Sequence, residues 1–289
     1  MIGKTVTGCV LLFAAGAAVA QTQNPPDQVD ATCSRADLQA AAESYVEAQK
    51  SGDVSKMKLA SNAVLLENMS SVDRDAGLWN TALPIALSRS FVDETRCKTF
   101  TEIIVTEGGH PYVIGTRLYV DKGEIIRVDS LVTDEGDWLF NANAYLKYSS
   151  AEDWSPLPAE RRTSAQDMIN AANAYLDLFS DKFVEVPWGI PCARLEGGAY
   201  SDRNGDPNAT CRVGIPRGVL YIVNRDYVVD EEHGVVNVFC RFGNSTTGMP
   251  DSHTFRLVDG KLRYVHTLSV NLNPNSPSPQ ADDNGAILR

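Results

Sequence analysis

The second half of this 289-residue chain repeats the first, and that repetition limits the fold more than any other feature. Ala41-Ala42-Glu43-Ser44-Tyr45 matches Ala171-Ala172-Asn173-Ala174-Tyr175, and Leu66-Glu67 matches Leu195-Glu196. Arg89-Ser90-Phe91-Val92 matches Arg225-Asp226-Tyr227-Val228, and Val128-Asp129-Ser130-Leu131 matches Val265-His266-Thr267-Leu268. The offset grows between the second and third pairs, which puts an insertion around 201–211. Ordered matches of this kind point to a duplicated unit. Each copy opens on a capping-box pattern, Ser34 to Asp37 and Thr163 to Gln166, with a helical run behind it. Further helical stretches are expected over 54–63 and 78–89, and strand patterns follow. One helical hairpin followed by antiparallel strands, twice, is an α+β plan. The prolines and charges of 151–162 mark a linker between a first repeat (33–150) and a second (163–271). The Pro-, Asn- and Ser-rich tail, 272–289, reads as disordered.

Residues 1–20 read as a signal peptide: Lys4, an apolar run over 10–20, and a small-x-small pattern at Ala18 and Ala20. Later apolar runs fall short of the ~18 residues of a membrane span. The net charge of −11 argues against nucleic acid and against anionic membrane surfaces. The expectation is a secreted protein acting on a small molecule, built as a pseudo-dimeric monomer or a homodimer. In an oxidising compartment Cys33 would pair with Cys97 and Cys192 with Cys211, keeping each bridge inside one half. Cys240, in a strand pattern, is left as a buried free thiol. Asn68, Asn208 and Asn244 lie in glycosylation acceptor patterns and suggest a eukaryotic source.

The stretch 250–270 is a hairpin around an Asp259-Gly260 turn. Strict pairing from that turn sets Phe255 against Tyr264 and His253 against His266, so half of the chain's four histidines share one apolar face. Two such imidazoles can divide acid and base work, with Asp251 orienting one of them. A satisfied pair of core histidines is the competing reading. Glu196, at the repeat position of Glu67, could assist as acid or base or serve structure in both halves. Tyr264 could polarise a carbonyl or pair with Phe255. Tyr221 is placed at the site by neighbourhood alone. Arg225 reads as half of a structural ion pair, and His110 as a loop residue. Asp251, His253 and His266 could form a two-His-one-carboxylate metal set. Opposed strand positions are not a dedicated ligand spacing, so no metal or cofactor is expected. Gly-x-Ser-x-Gly is lacking, which argues against serine hydrolase chemistry.

This order of elements resembles the NTF2-like (SnoaL-like) fold, in which a curved sheet wraps a helix and leaves a cone-shaped pocket. From Trp154 to Val270, the words VPWGIPCARLEGGAY, NRDYVVDEEHGVV and PDSHTFRLVDGKLRYVHT resemble a family of fungal secreted proteins of uncharacterised function. The resemblance implies two cones, with acid–base chemistry of the lyase or isomerase kind. His253, His266 and Asp251 would act on an apolar or aromatic metabolite, with Glu196, Tyr264, Phe255 and Tyr221 binding it. The first cone, with Asp129 at the place of His266, reads as degenerate. The alternative is a secreted ligand-binding or host-interaction protein without catalysis.

Overall fold

Leu38, Ala42, Tyr45 and Ala48 recur at helical spacing and give α1 (Arg35–Ser51) one buried face. Met168, Ala171, Ala172, Tyr175 and Leu176 do the same for α3 (Ala165–Asp177). Each helix packs into a six-stranded sheet in a computed structural model that describes residues 33–288, apart from 213, 274 and 277. The first sheet comprises β1 (Leu59–Glu67), β2 (Ser70–Ser71), β3 (Leu87–Asp93), β4 (Lys98–Val105), β5 (Tyr112–Asp121) and β6 (Glu124–Thr133), in the order β2-β1-β6-β5-β4-β3. The second comprises β7 (Trp188–Glu196), β8 (Ala199–Tyr200), β9 (Ile222–Asp230), β10 (Val235–Phe242), β11 (Met249–Val258) and β12 (Lys261–Ser269), in the matching order β8-β7-β12-β11-β10-β9. Identical strand orders with α1 and α3 in the same place make this an α+β duplication; the sheets are antiparallel as expected except that β1 pairs with β6, and β7 with β12, in parallel. The short helix α2 (Ala142–Ser149) joins the halves. The expected signal peptide, 1–20, lies outside the described residues.

Several local expectations are corrected. The stretch 54–63 forms one 3-10 turn, Val54–Lys56, before β1, because Leu59 is drawn into parallel pairing with Ile125 of β6. The stretch 78–89 has only the 3-10 turn Leu78–Asn80; Pro84 disfavours helix at its own position and the one before, and β3 follows. α1 is capped by Ser34 as expected, whereas α3 is capped by Ser164, one residue later than the pattern at Thr163. Within the tail, where disorder was expected, residues 279–285 are docked. Pro279 accepts from Leu139 N (2.8 Å), Asn284 from Tyr148 Oη (2.6 Å) and Gly285 from Tyr200 N (3.0 Å). Those donors need partners, and the tail's carbonyls supply them.

Cys33–Cys97 and Cys192–Cys211 are bridged, and Cys240 is a buried free thiol, as the spacing suggested. Closing a loop of 64 residues constrains the unfolded chain, so replacing both Cys33 and Cys97 by Ala should cost about 2–5 kcal/mol. Urea denaturation of the variant beside the parent chain measures this. Among the described residues no helix is long and apolar enough to cross a membrane.

The two sheets pack through their outer faces. Ile104, Val113, Leu195 and Leu268 form one buried cluster of this seam, and Phe100, Leu131 and Phe239 another. Two hydrogen bonds cross it reciprocally: Val229 N donates to Asp93 (2.9 Å) and Val92 N to Asp230 (3.1 Å). The ladders equate Val92 with Val229 and Asp93 with Asp230, so this is the isologous contact of a twofold dimer written into one chain. The ladders also equate Arg89 with Asp226, one residue on from the sequence match, because β9 carries an extra residue opposite Cys240. Arg225 forms the expected structural ion pair, with Asp177 at 2.7 Å.

Candidate active site

The Asp259-Gly260 turn forms with both residues at positive φ (53° and 72°), and Leu257 faces Leu262. The ladder then slips: Arg256 pairs with Tyr264, and Arg263 is left over as a bulge. From there every side chain of β12 sits on the face opposite to the expected one. His253 pairs with Thr267, and His266 with Thr254, so the two histidines lie on opposite faces of the sheet. Phe255 and Tyr264 are separated in the same way. Leu262 and Val265 explain the slip: spaced by three, both can be buried only if one residue bulges out. Ile126 does the same in β6, 42% exposed between buried Ile125 and Val128.

The bulge carries His266 into the seam. Its Nδ1 lies 3.2 Å from Glu102 and from Tyr145 Oη, and its Nε2 lies 2.6 Å from Glu152. Tyr145 Oη donates to Glu102 (2.7 Å), and Trp154 packs its ring 4.8 Å from the imidazole. Burial works against the charged imidazole, yet Glu152 and Glu102 overcome it and raise His266 to about 9. Glu102 is lowered to about 2: burial opposes this, and His266 and then Arg89 outweigh it. The result is an imidazolium held between two carboxylates, with no nitrogen free to act as a base.

His253 faces the interior of the second cone. Its Nδ1 lies 2.5 Å from Asp251 Oδ2. Asp251 is fully buried, and its carboxylate also accepts from Ser269 Oγ and, at 3.4 Å, from the Cys240 thiol. Burial and then Asp251 push that thiol well above its ordinary range, so it stays protonated. Among the described residues neither ring nitrogen of His253 has a hydrogen-bond partner of good geometry, so the Asp251 contact is one of proximity alone. The ligand atoms of Cys240, Asp251 and His253 lie within 4.8 Å of one another. An Asp–His separation of 2.5 Å, however, is too short for two ligands of one ion. The two-His-one-carboxylate arrangement weighed from the sequence does not assemble, because His266 is on the other face of the sheet.

Comparison with the first cone isolates what is special here. The ladders equate His253 with Thr116, Asp251 with Ile114, Cys240 with Ile103, Ser269 with Val132 and Arg194 with Leu65. A mostly apolar row has become polar. In the first cone Tyr45 Oη, Thr116 Oγ1 and Ser130 Oγ close a chain of hydrogen bonds (2.7 and 2.8 Å). Their counterparts in the second, Tyr175 Oη, His253 Nε2 and Thr267 Oγ1, are buried with no hydrogen-bond partner among the described residues. An unmet polar group in a core costs about 1–3 kcal/mol. Tyr175 is pushed up to about 12 by burial, with Arg194 opposing and Glu196 and Asp251 adding to the rise.

The remaining expected residues fall out as follows. Glu196 faces the second cone, paired with Arg194 (2.7 Å) and accepting from Trp138 Nε1 (2.9 Å). A cavity of about 230 Å3 opens onto Arg194 and Glu196, walled by Tyr200, Arg203 and the tail's Ile287. Phe255 stacks on His253 with ring centroids 5.8 Å apart. Tyr264 is in the seam against Trp154, and Tyr221 is 63% exposed and lines no part of that cavity, so neither joins the cone. His110 is exposed, as expected. Asn208 and Asn244 are exposed, while Asn68 is half-buried with its Oδ1 on Val132 N. Glu102 and Glu152 escaped sequence reasoning: both act across a seam that no local pattern announces. Tyr175 was in view as a repeat match, though not as a site residue.

A family described as a domain of unknown function (DUF8021) matches residues 161–269. No curated protein matches. Two solved structures are similar to parts of the chain. One is an NTF-2 like protein of unknown function from Burkholderia xenovorans LB400, 13% identical, covering 39% of this chain and 92% of its own, with TM-score 0.28. The other is a proposed ketosteroid isomerase from Kribbella flavida DSM 17836, 16% identical, covering 45% and 93%, with TM-score 0.26.

Proposed function

We propose that the second cone is an acid–base site that moves a proton on a small, largely apolar or aromatic molecule, in an isomerisation, dehydration or hydration. His253 Nε2 is the base, Asp251 beside Nδ1 stabilises the imidazolium, and Tyr175 Oη donates to the developing oxyanion. The Arg194–Glu196 pair orients the substrate at the cavity. His266, which the sequence offered as the second half of the acid–base pair, is assigned to holding the halves together. The observation that carries this reading is the polar row of the second cone, where Tyr175 Oη, both ring nitrogens of His253 and Thr267 Oγ1 are buried with no hydrogen-bond partner among the described residues. The two disulfides and the signal-like start support a secreted destination.

Colorimetric ring-opening of 5-nitrobenzisoxazole tests for a buried base without knowledge of the substrate. Proton removal should fall by about a hundredfold or more in His253→Ala. Equal rates in variant and parent would remove His253 from the chemistry. A second reading, binding without catalysis, is favoured by one observation: Tyr175, Phe179, Phe242 and Phe255 surround the imidazole, which is 1% exposed. A cone ligand that binds His253→Ala as tightly as the parent, and leaves both chemically unchanged, would support it.

A further inference from the structure

The seam has two sides related by the internal twofold, and only one of them is filled. On the filled side, Glu152 pairs with His266, and the Trp154 ring lies against His266 (4.8 Å), Tyr264 (5.6 Å) and the Arg89 guanidinium (5.1 Å). The chain thus seats a carboxylate and an aromatic ring there from the connection between its halves. One chain has one such connection. On the other side, the ladder counterparts of His266, Tyr264, Arg89 and Glu102 are Asp129, Arg127, Asp226 and Phe239. These line a cavity of about 330 Å3, a size that suits a small organic molecule.

The charges of this second side fit an anion. Arg117, Arg127 and Arg241 line it against two carboxylates, Asp129 and Asp226, in a chain whose net charge is −11. Both carboxylates are engaged: Asp129 by Arg127 (2.7 Å), and Asp226 by Arg117 (2.9 Å) and Lys98 (2.7 Å). Arg241 donates only to the Gly248 carbonyl (2.6 Å), and among the described residues it has no carboxylate partner. Leu66, Met69, Leu131 and Phe239 supply an apolar wall. Two non-glycine residues at positive φ, Met69 (62°) and Asn224 (55°), sit on the lining, one from each half, and such backbone clusters at ligand sites.

We propose that this inter-repeat cavity binds a small aromatic carboxylate, with Arg241 taking the carboxylate and the ring lying against Leu66 and Leu131. The ligand occupies the side of the seam that is twofold-related to the side filled by Glu152 and Trp154. The cavity is separate from the second cone, so the proposal does not depend on the acid–base reading.

Calorimetric titration of the full chain with 2-naphthoate tests it, with 2-naphthamide as the uncharged isostere. Saturable binding of 2-naphthoate is expected, weakened about tenfold or more in Arg241→Gln. It should be unchanged in His253→Ala and far weaker for the amide. A thermal melt of Arg241→Gln matching the parent shows that the variant is folded. A second variant, Leu131→Phe, narrows the cavity without touching a charge and should also weaken binding. Lack of saturable binding below about 10 mM, the weakest end of the affinity scale, would overturn the proposal. So would equal affinity in Arg241→Gln, equal affinity for the amide, or loss of binding in His253→Ala.

Discussion

Replacing His266 by Leu should destabilise the chain by about 3–5 kcal/mol, because it removes the cation shared by two buried carboxylates and leaves Glu102 only Arg89 as an ion-pair partner among the described residues. The pH profile should change as well. The folded state raises His266 from 6.5 to about 9, so its stabilisation is complete below 6.5 and is lost as the pH climbs through about 9. Glu102 is lowered from 4.5 to about 2, so its share is present above 4.5 and disappears as the pH falls through about 2. Urea midpoints of the parent chain should therefore be highest between 4.5 and 6.5 and decline towards 9. In His266→Leu the alkaline decline should flatten. A parent profile that is level from pH 6 to 10 would show that the imidazole carries no charge in the seam.

Rebuilding the first cone's apolar row in the second should separate activity from stability. The double variant Asp251→Ile with Ser269→Val installs apolar residues like Ile114 and Val132 at the matching positions. Exchanging a buried charge for well-packed apolar groups is often neutral or stabilising by about 1–4 kcal/mol. The melting temperature should thus hold or rise, while proton removal falls by about a hundred- to ten-thousandfold. That pairing of outcomes marks a group retained for chemistry at a cost to the fold. A variant that melts several kcal/mol lower would make Asp251 a structural anchor.

Much of the fold was legible because the chain states it twice. The repeat marked both halves, the disulfides and the hairpin turn, since each rests on spacing within one half. What failed at the candidate site was a single position. Strict alternation from Asp259-Gly260 put His253 opposite His266, and one bulged residue, Arg263, sent them to different sides of the sheet. A trace of the bulge is visible in retrospect: Leu262 and Val265 are apolar at a spacing of three, which a regular half-buried strand does not show. The seam network left no such trace. Glu102 and Glu152 lie 164 and 114 residues from His266, and their partnership comes from packing two sheets back to back. Sequence alone could therefore suggest Asp251 with His253, while Tyr175 needed the ladders of both halves to single it out.

The partners of His266 also bear on where this protein can be cut. The family match spans 161–269, a tidy segment by sequence. Expressed by itself, that segment would carry the imidazole while leaving both carboxylates, Tyr145 and Trp154 behind. It would also expose the face of β11 and β12 that the first half covers. The segment and the packed unit therefore differ: the buried seam is complete only with both halves present.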